Sequence, residues 1–216
     1  MATSVFLGEL EAKRLLAEEG FSVSMPYEVK SLDEALDVAT KIGYPVVLKV
    51  ASGKIVHKSD VGGVITGIDS AEKLKEVFDP FLKRMREIDP EASATIQKQY
   101  PPSVELVVGV FEDELFGKVM MFGLGGILVE VLKDVSFRLI PITEADALEM
   151  MDELKGSRIL DGVRGYPKVD RNALSRFLVK VSEFAEKHNI TQMDLNPVFA
   201  SGDEFIIVDA RMEVCK

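Results

Sequence analysis

The spacing of apolar side chains divides the first half of the chain into helices and strands. Apolar positions at helical spacing from Leu10 to Leu16 predict a helix that stops before Gly20. The segment "SLDEALDVATKIG" opens with a serine and a glutamate in capping-box spacing, which predicts a second helix. The runs "PVVLKV" and "VITGI" predict two strands separated by a loop over residues 51 to 63. A charged segment from Ser70 to about Ile88 predicts a long helix.

The second half of the chain begins with strand-like segments and ends with a hairpin. Consecutive strands are predicted for "ATIQKQY", "VELVVGVF", "GKVMMFGL", "GILVEVL" and "SFRLIPI". Thr143 and Asp146 predict the start of a helix ending near Gly156, and Asp170 predicts the cap of "RNALSRFLVKVSEFAEKHN". The segments "TQMDLNPVFA" and "FIIVDARM" predict a hairpin that turns at Ser201–Gly202. This order predicts an α+β fold with two lobes, and a nucleotide in the cleft between them.

Composition and charge narrow the class of protein. The chain has 216 residues, of which 47% are hydrophobic and 29% charged, as in globular proteins. A net charge of −10 disfavours a nucleic-acid partner. The single cysteine, Cys215, excludes an internal disulfide framework. The first residues do not form a signal peptide, and the longest uncharged apolar stretch, Val119 to Val129, is too short to span a bilayer. No membrane association is expected, and the cytoplasm is the expected location.

A lysine and two glycine-containing segments indicate a phosphate-binding loop. Lys49 lies within the apolar strand "VVLKV", where an ammonium group costs desolvation unless it meets an anion. Ser52–Gly53 and Gly62–Gly63 allow backbone N–H groups to approach an anion closely. The loop does not contain a Walker motif. A snorkelling lysine and plain glycine turns remain the alternative interpretation.

His57 lies in the middle of this loop, between two glycine-containing segments. A neutral imidazole is a nucleophile toward phosphorus near neutral pH, and a mobile loop would let one phosphohistidine visit two sites. The alternatives are a solvent-facing histidine or a simple hydrogen-bond donor to phosphate.

The final hairpin carries candidate metal ligands. Strand alternation places Asp194 and Asn196 on one face, and Asp209 and Arg211 on one face of the returning strand. Asn196 and Asp209 would suit Mg²⁺, which takes oxygen ligands and bridges nucleotide phosphates, while Asp194 could orient a histidine ring. The alternative is the polar outer face of an edge hairpin.

Two glutamates, Glu105 and Glu130, interrupt apolar strands. Glu105 follows "IQKQY", a possible lobe connection along which an adenine could lie, so a ribose contact is expected for Glu105. The nucleotide-contacting candidates in that connection are Gln97, Lys98 and Tyr100. Glu130 could instead pair with a nearby basic residue.

The segments "YPVVLKVASGKIVHKSDVGGV", "FGLGGILVEVLKDVSFRLIPIT", "LDGVRGYP" and "MDLNPV…VDAR" resemble the ATP-grasp β subunit of ADP-forming acetyl-CoA synthetases. These enzymes are related to succinyl-CoA synthetase. The resemblance covers nearly the whole chain, with the motifs in family order. It implies one ATP-grasp module, with a small lobe at about 25–98 and a large lobe at about 1–24 plus 99–216.

The resemblance also implies an activity and roles for individual residues. In the family, acyl-CoA, ADP and phosphate are converted reversibly to a carboxylic acid, ATP and CoA. His57 matches the histidine that carries the phosphoryl group from the partner subunit to ADP, and Asp194 matches an acidic residue near it. Lys49 matches a phosphate-contacting lysine, and Asn196 and Asp209 match Mg²⁺ ligands. The implied partner is a CoA-binding α subunit in an α2β2 heterotetramer, which would make this chain a separately encoded β subunit.

Two other functions are compatible with parts of the sequence. A self-contained ATP-grasp carboxylate ligase needs no histidine nucleophile, so the "VHKSD" loop argues against it. A regulatory module that binds nucleotide without turnover is disfavoured by the intact Lys49, Asn196 and Asp209. The sequence does not determine the acyl group, the choice between ADP and GDP, the stoichiometry of the complex, or roles for Arg164 and Glu130.

Overall fold

The structure is a computed structural model that describes residues 4–55, 58, 60–101, 103–126, 133–163 and 165–215. His57, Glu130 and Arg164 lie outside the described residues, as does most of the predicted strand "GILVEVL". The chain forms two compact units, Met1–Ser24 with Pro102–Lys216 and Met25–Pro101. None of the described helices is both long enough and apolar enough to cross a membrane.

The elements follow one another in an α+β order, as the sequence predicted. They are β1 (Ser4–Leu7), α1 (Glu9–Glu18), β2 (Tyr27–Val29), α2 (Leu32–Ile42), β3 (Val46–Ala51), β4 (Val64–Ile68), α3 (Ala71–Ile88), β5 (Ser93–Lys98), β6 (Val104–Asp113), β7 (Gly117–Leu124), β8 (Val135–Leu139), α4 (Glu144–Glu153), a 3₁₀ turn (Ser157–Asp161), α5 (Arg171–Lys187), β9 (Ile190–Ser201), β10 (Glu204–Ile207) and β11 (Ala210–Cys215).

The larger unit is built on an antiparallel sheet with the strand order β1-β11-β9-β6-β7-β8, and β10 also pairs with β9. Residues of α1, α4 and α5 share one apolar core with the sheet. Strand alternation buries Met193 and Leu195 in that core, while Asp194 and Asn196 remain exposed to solvent. The candidate hairpin residues therefore project from the face opposite the core.

The smaller unit contains the antiparallel sheet β2-β5-β3-β4. Val46, Leu48 and Val50 alternate along β3 and pack into a core with side chains of α2 and α3. Because successive side chains of a strand point to opposite faces, Lys49 projects away from this core.

The predicted helix starts are confirmed by their capping bonds. Ser31, Ser70, Thr143 and Asp170 each accept a hydrogen bond from the backbone N–H three residues later. These starts depend on local sequence, which explains why they could be predicted.

The predicted hairpin with its turn at Ser201–Gly202 is confirmed, but its returning segment "FIIVDARM" is not one continuous strand. The segment is divided into β10 and β11, with Val208 and Asp209 between them. Both strands pair with β9, β10 along Val198–Ser201 and β11 along the stretch that ends at Leu195. The interruption at Val208 and Asp209 therefore follows from the register of the pairing with β9 and not from turn-forming residues in the segment itself.

Candidate functional site

The hairpin of β9 with β10 and β11 brings three predicted site residues together, with Arg211 beside them. Asp194 and Arg211 are direct partners across β9 and β11. The Asn196 N–H donates to the Asp209 carbonyl oxygen at 3.3 Å. Asp194 and Asn196 are exposed and Asp209 is half-buried, so their oxygens can reach a ligand.

Asp209 occupies the break between β10 and β11, where its backbone is held by local bonds. The preceding N–H, of Val208, donates to the Pro197 carbonyl oxygen at 3.0 Å. The following N–H, of Ala210, donates to Oδ1 of Asp209 at 2.8 Å. This bond orients the carboxylate and uses one of its two oxygens.

The pKa of Asp194 is raised above its ordinary value, although its side chain keeps contact with solvent. Desolvation by the surrounding protein is the largest cause, the negative charge of Asp209 adds to it, and the positive charge of Arg211 acts in the opposite direction. Repulsion between two neighbouring carboxylates is relieved when a cation binds beside them. The carboxylates of Asp194 and Asp209 therefore lie close enough to repel each other, and a cation bound beside them would relieve that repulsion.

The donor set of the hairpin fits Mg²⁺ with a bound nucleotide. Within the described ranges, no cluster of three or more His, Cys, Asp or Glu residues could hold a metal ion by itself. Mg²⁺ is commonly held by one or two protein carboxylates together with substrate phosphates. Asn196 and Asp209 supply oxygen donors of that kind, so they fit an ion whose remaining ligands come from phosphate and water.

Glu105, on β6, lies beside a glycine pair that the sequence analysis did not select. Its side chain is exposed, so it does not need the buried partner that a core glutamate would require. The Gly125 N–H donates to the Glu105 carbonyl oxygen at 2.7 Å. A Cβ on Gly126 would lie 3.1 Å from Oε2 of Glu105, and the φ of Gly126 is +63°. The two adjacent glycines after an apolar strand were the signal for this close approach.

In the smaller unit, Lys49 and Gln97 share the sheet face opposite the core. Lys49 is paired with Thr95, and Val47 with Gln97, across β3 and β5. Both candidate side chains are buried, with exposed fractions of 8% and 1%. Oε1 of Gln97 has no hydrogen-bond partner among the described residues. A buried acceptor without a donor is costly, so this face is suited to a ligand that carries donor groups.

Lys98 projects from the opposite face of the same strand. Its Nζ donates to the carbonyl oxygens of Gly43 and Tyr44 at 2.9 and 3.0 Å, beyond the last residue of α2. Tyr100 follows β5 and is half-buried. The structure therefore gives Lys98 a helix-capping role in this conformation and separates it from the face of Lys49 and Gln97.

The glycine pair at the end of the loop closes the loop onto β3. The Gly63 N–H donates to the Lys58 carbonyl oxygen at 2.6 Å, and the Val50 N–H donates to the Gly63 carbonyl oxygen at 2.9 Å. Gly62 has a φ of +65° and accepts a hydrogen bond from Arg84 at 2.6 Å. In this conformation the N–H of Gly63 is therefore already used within the loop.

The start of the loop is organised by Ser52. Its hydroxyl donates to Asp89 at 2.7 Å and accepts the N–H groups of Lys54 and Ile55. The hydrogen bond from Ser52 is the largest cause that holds the pKa of Asp89 below its ordinary value. A cavity of about 430 Å³ beside Ser52 and Gly53 is lined by Glu28, Lys54, Asp89 and Glu91 among others. Three carboxylates and one ammonium make that cavity unfavourable for phosphate.

Gly63→Ala should destabilise the protein because the loop leaves no space for a methyl group. The new Cβ would lie 2.6 Å from Cγ1 of Val50 and 2.8 Å from the Lys58 carbonyl oxygen. We expect the free energy of unfolding to fall by about 1–3 kcal/mol, as for other overpacked sites, measured by chemical denaturation. Gly53→Ala is the matched control, since its Cβ would meet no atom within 4 Å. Equal stability of the two variants would contradict the loop-closing role of Gly63.

Comparisons with known proteins agree along nearly the whole chain. A family model described as an ATP-grasp domain matches residues 2–214. The subunit beta of acetate–CoA ligase (ADP-forming) I of Pyrococcus furiosus is 45% identical over 210 residues, which cover 95% of this chain and 90% of that protein. Acetate–CoA ligase (ADP-forming) II of Archaeoglobus fulgidus is also 45% identical over 210 residues, covering 97% of this chain and 30% of that protein. The chain thus spans nearly all of one relative and less than a third of the other.

Solved structures of the dinucleotide-forming acetyl-coenzyme A synthetase 1 of Ca. Korarchaeum cryptofilum are also similar. One contains coenzyme A and Mg-AMPPCP, with its phosphohistidine segment pointing towards the nucleotide binding site; it has a TM-score of 0.81 and 38% identity. Another contains coenzyme A, acetyl-coenzyme A and a phosphorylated phosphohistidine segment, with a TM-score of 0.85 and 36% identity. Each match covers 98% of this chain and 93% of the compared chain.

Proposed function

Because the chain belongs to the ATP-grasp family of the ADP-forming acetate–CoA ligases, we propose that it is the part of such an enzyme that transfers a phosphoryl group to ADP. The overall reaction converts acyl-CoA, ADP and phosphate to a carboxylic acid, ATP and CoA, and it is reversible. The observation that carries the proposal is the 45% identity to a β subunit of which this chain covers 90%.

The step assigned to this chain is a relay through His57. A lone pair of the neutral imidazole attacks the phosphorus of a phosphorylated donor on the partner, and the bond from phosphorus to that donor breaks. A terminal phosphate oxygen of ADP then attacks the phosphohistidine, and the nitrogen–phosphorus bond breaks to give ATP and free His57. Nucleophilic catalysis of this kind divides one difficult transfer into two easier ones.

The loop around His57 supports this role, although His57 itself lies outside the described residues. The sequence "HKSDVGG" places a nucleophile a few residues from the glycine pair that closes the loop onto β3. The Korarchaeum enzyme has a phosphohistidine segment that has been seen pointing towards the nucleotide binding site and, in another structure, phosphorylated. We assign to Asp194 the orientation of the His57 imidazole.

Several of the described residues carry groups suited to a bound nucleotide. Lys49 would contact a phosphate, and the acceptor Oε1 of Gln97 would receive a donor group of the base. Glu105 would accept a ribose hydroxyl, and Asn196 and Asp209 would hold Mg²⁺. When bound, this ion would neutralise charge on the phosphates and so favour attack by an anionic oxygen.

The homologous Pyrococcus protein is a subunit, which supports the need for a partner. We assign CoA and acyl-group binding to a partner subunit, in a heterotetramer of two subunits of each kind. Direct transfer requires donor and acceptor atoms to approach to about 3–3.5 Å, so the partner must dock beside the loop of residues 53–63 and the Asp194 hairpin.

The proposed function is tested with the purified chain of 216 residues. Incubated with Mg²⁺ and γ-phosphate-labelled ATP, it should acquire an acid-labile, base-stable label. Incubated with unlabelled ATP and adenine-labelled ADP, it should convert labelled ADP to labelled ATP. Acyl-CoA synthesis should appear only when the CoA-binding subunit is added. Robust acyl-CoA synthesis by the purified chain alone would overturn the proposal and favour a self-contained carboxylate ligase.

A further inference from the structure

Lys13 is a charged side chain that is completely buried in the larger unit. It lies on α1 and has an exposed fraction of 0%. Its Nζ donates to Oε1 of Glu9 at 2.9 Å and to the carbonyl oxygens of Ser24 and Val208 at 2.8 and 2.5 Å. A buried ammonium is costly unless its donors are satisfied, and three acceptors match its three N–H groups.

The two carbonyl acceptors lie at the end of a short parallel pairing. The Ile207 N–H donates to the Ser22 carbonyl oxygen at 2.9 Å, and the Ser24 N–H donates to the Ile207 carbonyl oxygen at 2.8 Å. Beyond these two bonds, no further backbone N–H of this pairing donates to the carbonyl oxygens of Ser24 and Val208 among the described residues. Both oxygens accept instead from the ammonium of Lys13. Lys13 therefore holds together two chain segments that pairing alone joins over only three residues.

The carbonyl group of Val208 belongs to the same peptide unit as the backbone nitrogen of Asp209. Because a peptide unit is planar, the bond from Lys13 to this carbonyl sets the orientation in which the backbone enters Asp209. The Val208 N–H donates to the Pro197 carbonyl oxygen, and the Val208 carbonyl oxygen accepts from Lys13. Both backbone polar groups of the residue before Asp209 are therefore fixed by hydrogen bonds. No part of this arrangement requires contact between Lys13 and a ligand.

We propose that Lys13 is a positioning residue that holds Asp209 in the orientation required for binding Mg²⁺ with the nucleotide. This inference rests on the proposed function, because it assigns Lys13 to the metal ligand of that site. Groups that orient metal ligands typically contribute about 10–100-fold to metal affinity or activity. If Lys13 had only a structural role, its replacement would lower the stability of the protein. It would not weaken ADP binding more in the presence of Mg²⁺ than in its absence.

The test compares ADP binding with excess Mg²⁺ and with EDTA by isothermal titration calorimetry. In Lys13→Met, we expect binding with Mg²⁺ to weaken by about 10-fold or more, and binding in EDTA to change less than about twofold. Combining Lys13→Met with Asp209→Ala should weaken Mg²⁺-dependent binding no further than Asp209→Ala alone, since both changes remove the same interaction. Equal weakening under both conditions, or additive losses in the double variant, would overturn the proposal.

Lys180→Met is a matched control. Lys180 donates from α5 to the Gly20 carbonyl oxygen at 2.7 Å and lies 4.3 Å from the centre of the Phe21 ring, so its removal also breaks an ammonium–carbonyl contact. Lys180→Met should leave the ratio of the ADP affinity with Mg²⁺ to the ADP affinity with EDTA unchanged. A change in this ratio as large as that caused by Lys13→Met would overturn the proposal. If Lys13→Met does not fold, Glu9→Gln decides, because it removes the charge of one acceptor of the ammonium and leaves Lys13 in place. We expect a Mg²⁺-selective loss of about threefold for Glu9→Gln, and an unchanged ratio would overturn the proposal.

The wild-type titration separates failure of this inference from failure of the proposed function. If wild-type chain binds ADP no better with Mg²⁺ than with EDTA, the proposed metal site itself fails. If wild-type binding depends on Mg²⁺ and Lys13→Met retains the full dependence, only the role of Lys13 fails.

Discussion

Replacing His57 with asparagine should abolish phosphoryl transfer to ADP, by roughly 10³-fold or more, while leaving nucleotide binding nearly unchanged. Asparagine is polar and of similar size, but its amide nitrogen has no lone pair available for attack on phosphorus. The variant should acquire no acid-labile label from γ-phosphate-labelled ATP. In the presence of unlabelled ATP, it should not convert adenine-labelled ADP to labelled ATP. Binding should persist because Lys49, Gln97 and the hairpin residues are unchanged.

The chain contains one other histidine, which provides a matched control for this prediction. His188 follows α5, with its Nε2 2.9 Å from Glu19 and its ring packed on Phe184. His188→Asn should therefore retain both label and exchange. Undiminished labelling of His57→Asn would show that the phosphoryl acceptor is a different residue.

Replacing Asp209 or Asn196 with alanine should reduce Mg²⁺-dependent phosphoryl transfer by about 10²–10³-fold, the range seen when one electrostatic contact to a developing charge is removed. Each change removes an oxygen donor from the hairpin. The fold should survive, because Asn196 is exposed and the side chain of Asp209 makes only the local bond to the Ala210 N–H among the described contacts. Transfer rates should be measured across a series of Mg²⁺ concentrations.

Asp203→Ala is the control for a change of charge in the same hairpin. Asp203 is exposed at the turn between β9 and β10, so its loss should change transfer little. If Asn196→Ala and Asp209→Ala both keep full Mg²⁺-dependent activity, the metal site lies elsewhere. Glu130, which lies outside the described residues, would then be the next candidate.

Residues that act through near neighbours in the sequence could be identified without the structure. The caps at Ser31, Ser70, Thr143 and Asp170 involve partners only three residues away. Alternation along β3 also places Lys49 on the face opposite Leu48 and Val50, so Lys49 faces away from the core once these two pack into it. The family resemblance rested in the same way on short continuous motifs.

The tertiary structure decided what depends on partners distant in the chain. Lys13 has the sequence signature of an ordinary helical lysine, yet one of its acceptors lies 195 residues away. The apolar pattern of "FIIVDARM" does not indicate the break at Val208–Asp209. The break follows from the way the two halves of this segment, β10 and β11, each pair with β9. Oε1 of Gln97, which has no partner among the described residues, is equally invisible in the sequence, since burial of one strand face depends on what packs over it. Local hydrogen bonds are encoded at fixed spacings, whereas pairing register and the satisfaction of buried polar groups arise only when distant segments meet.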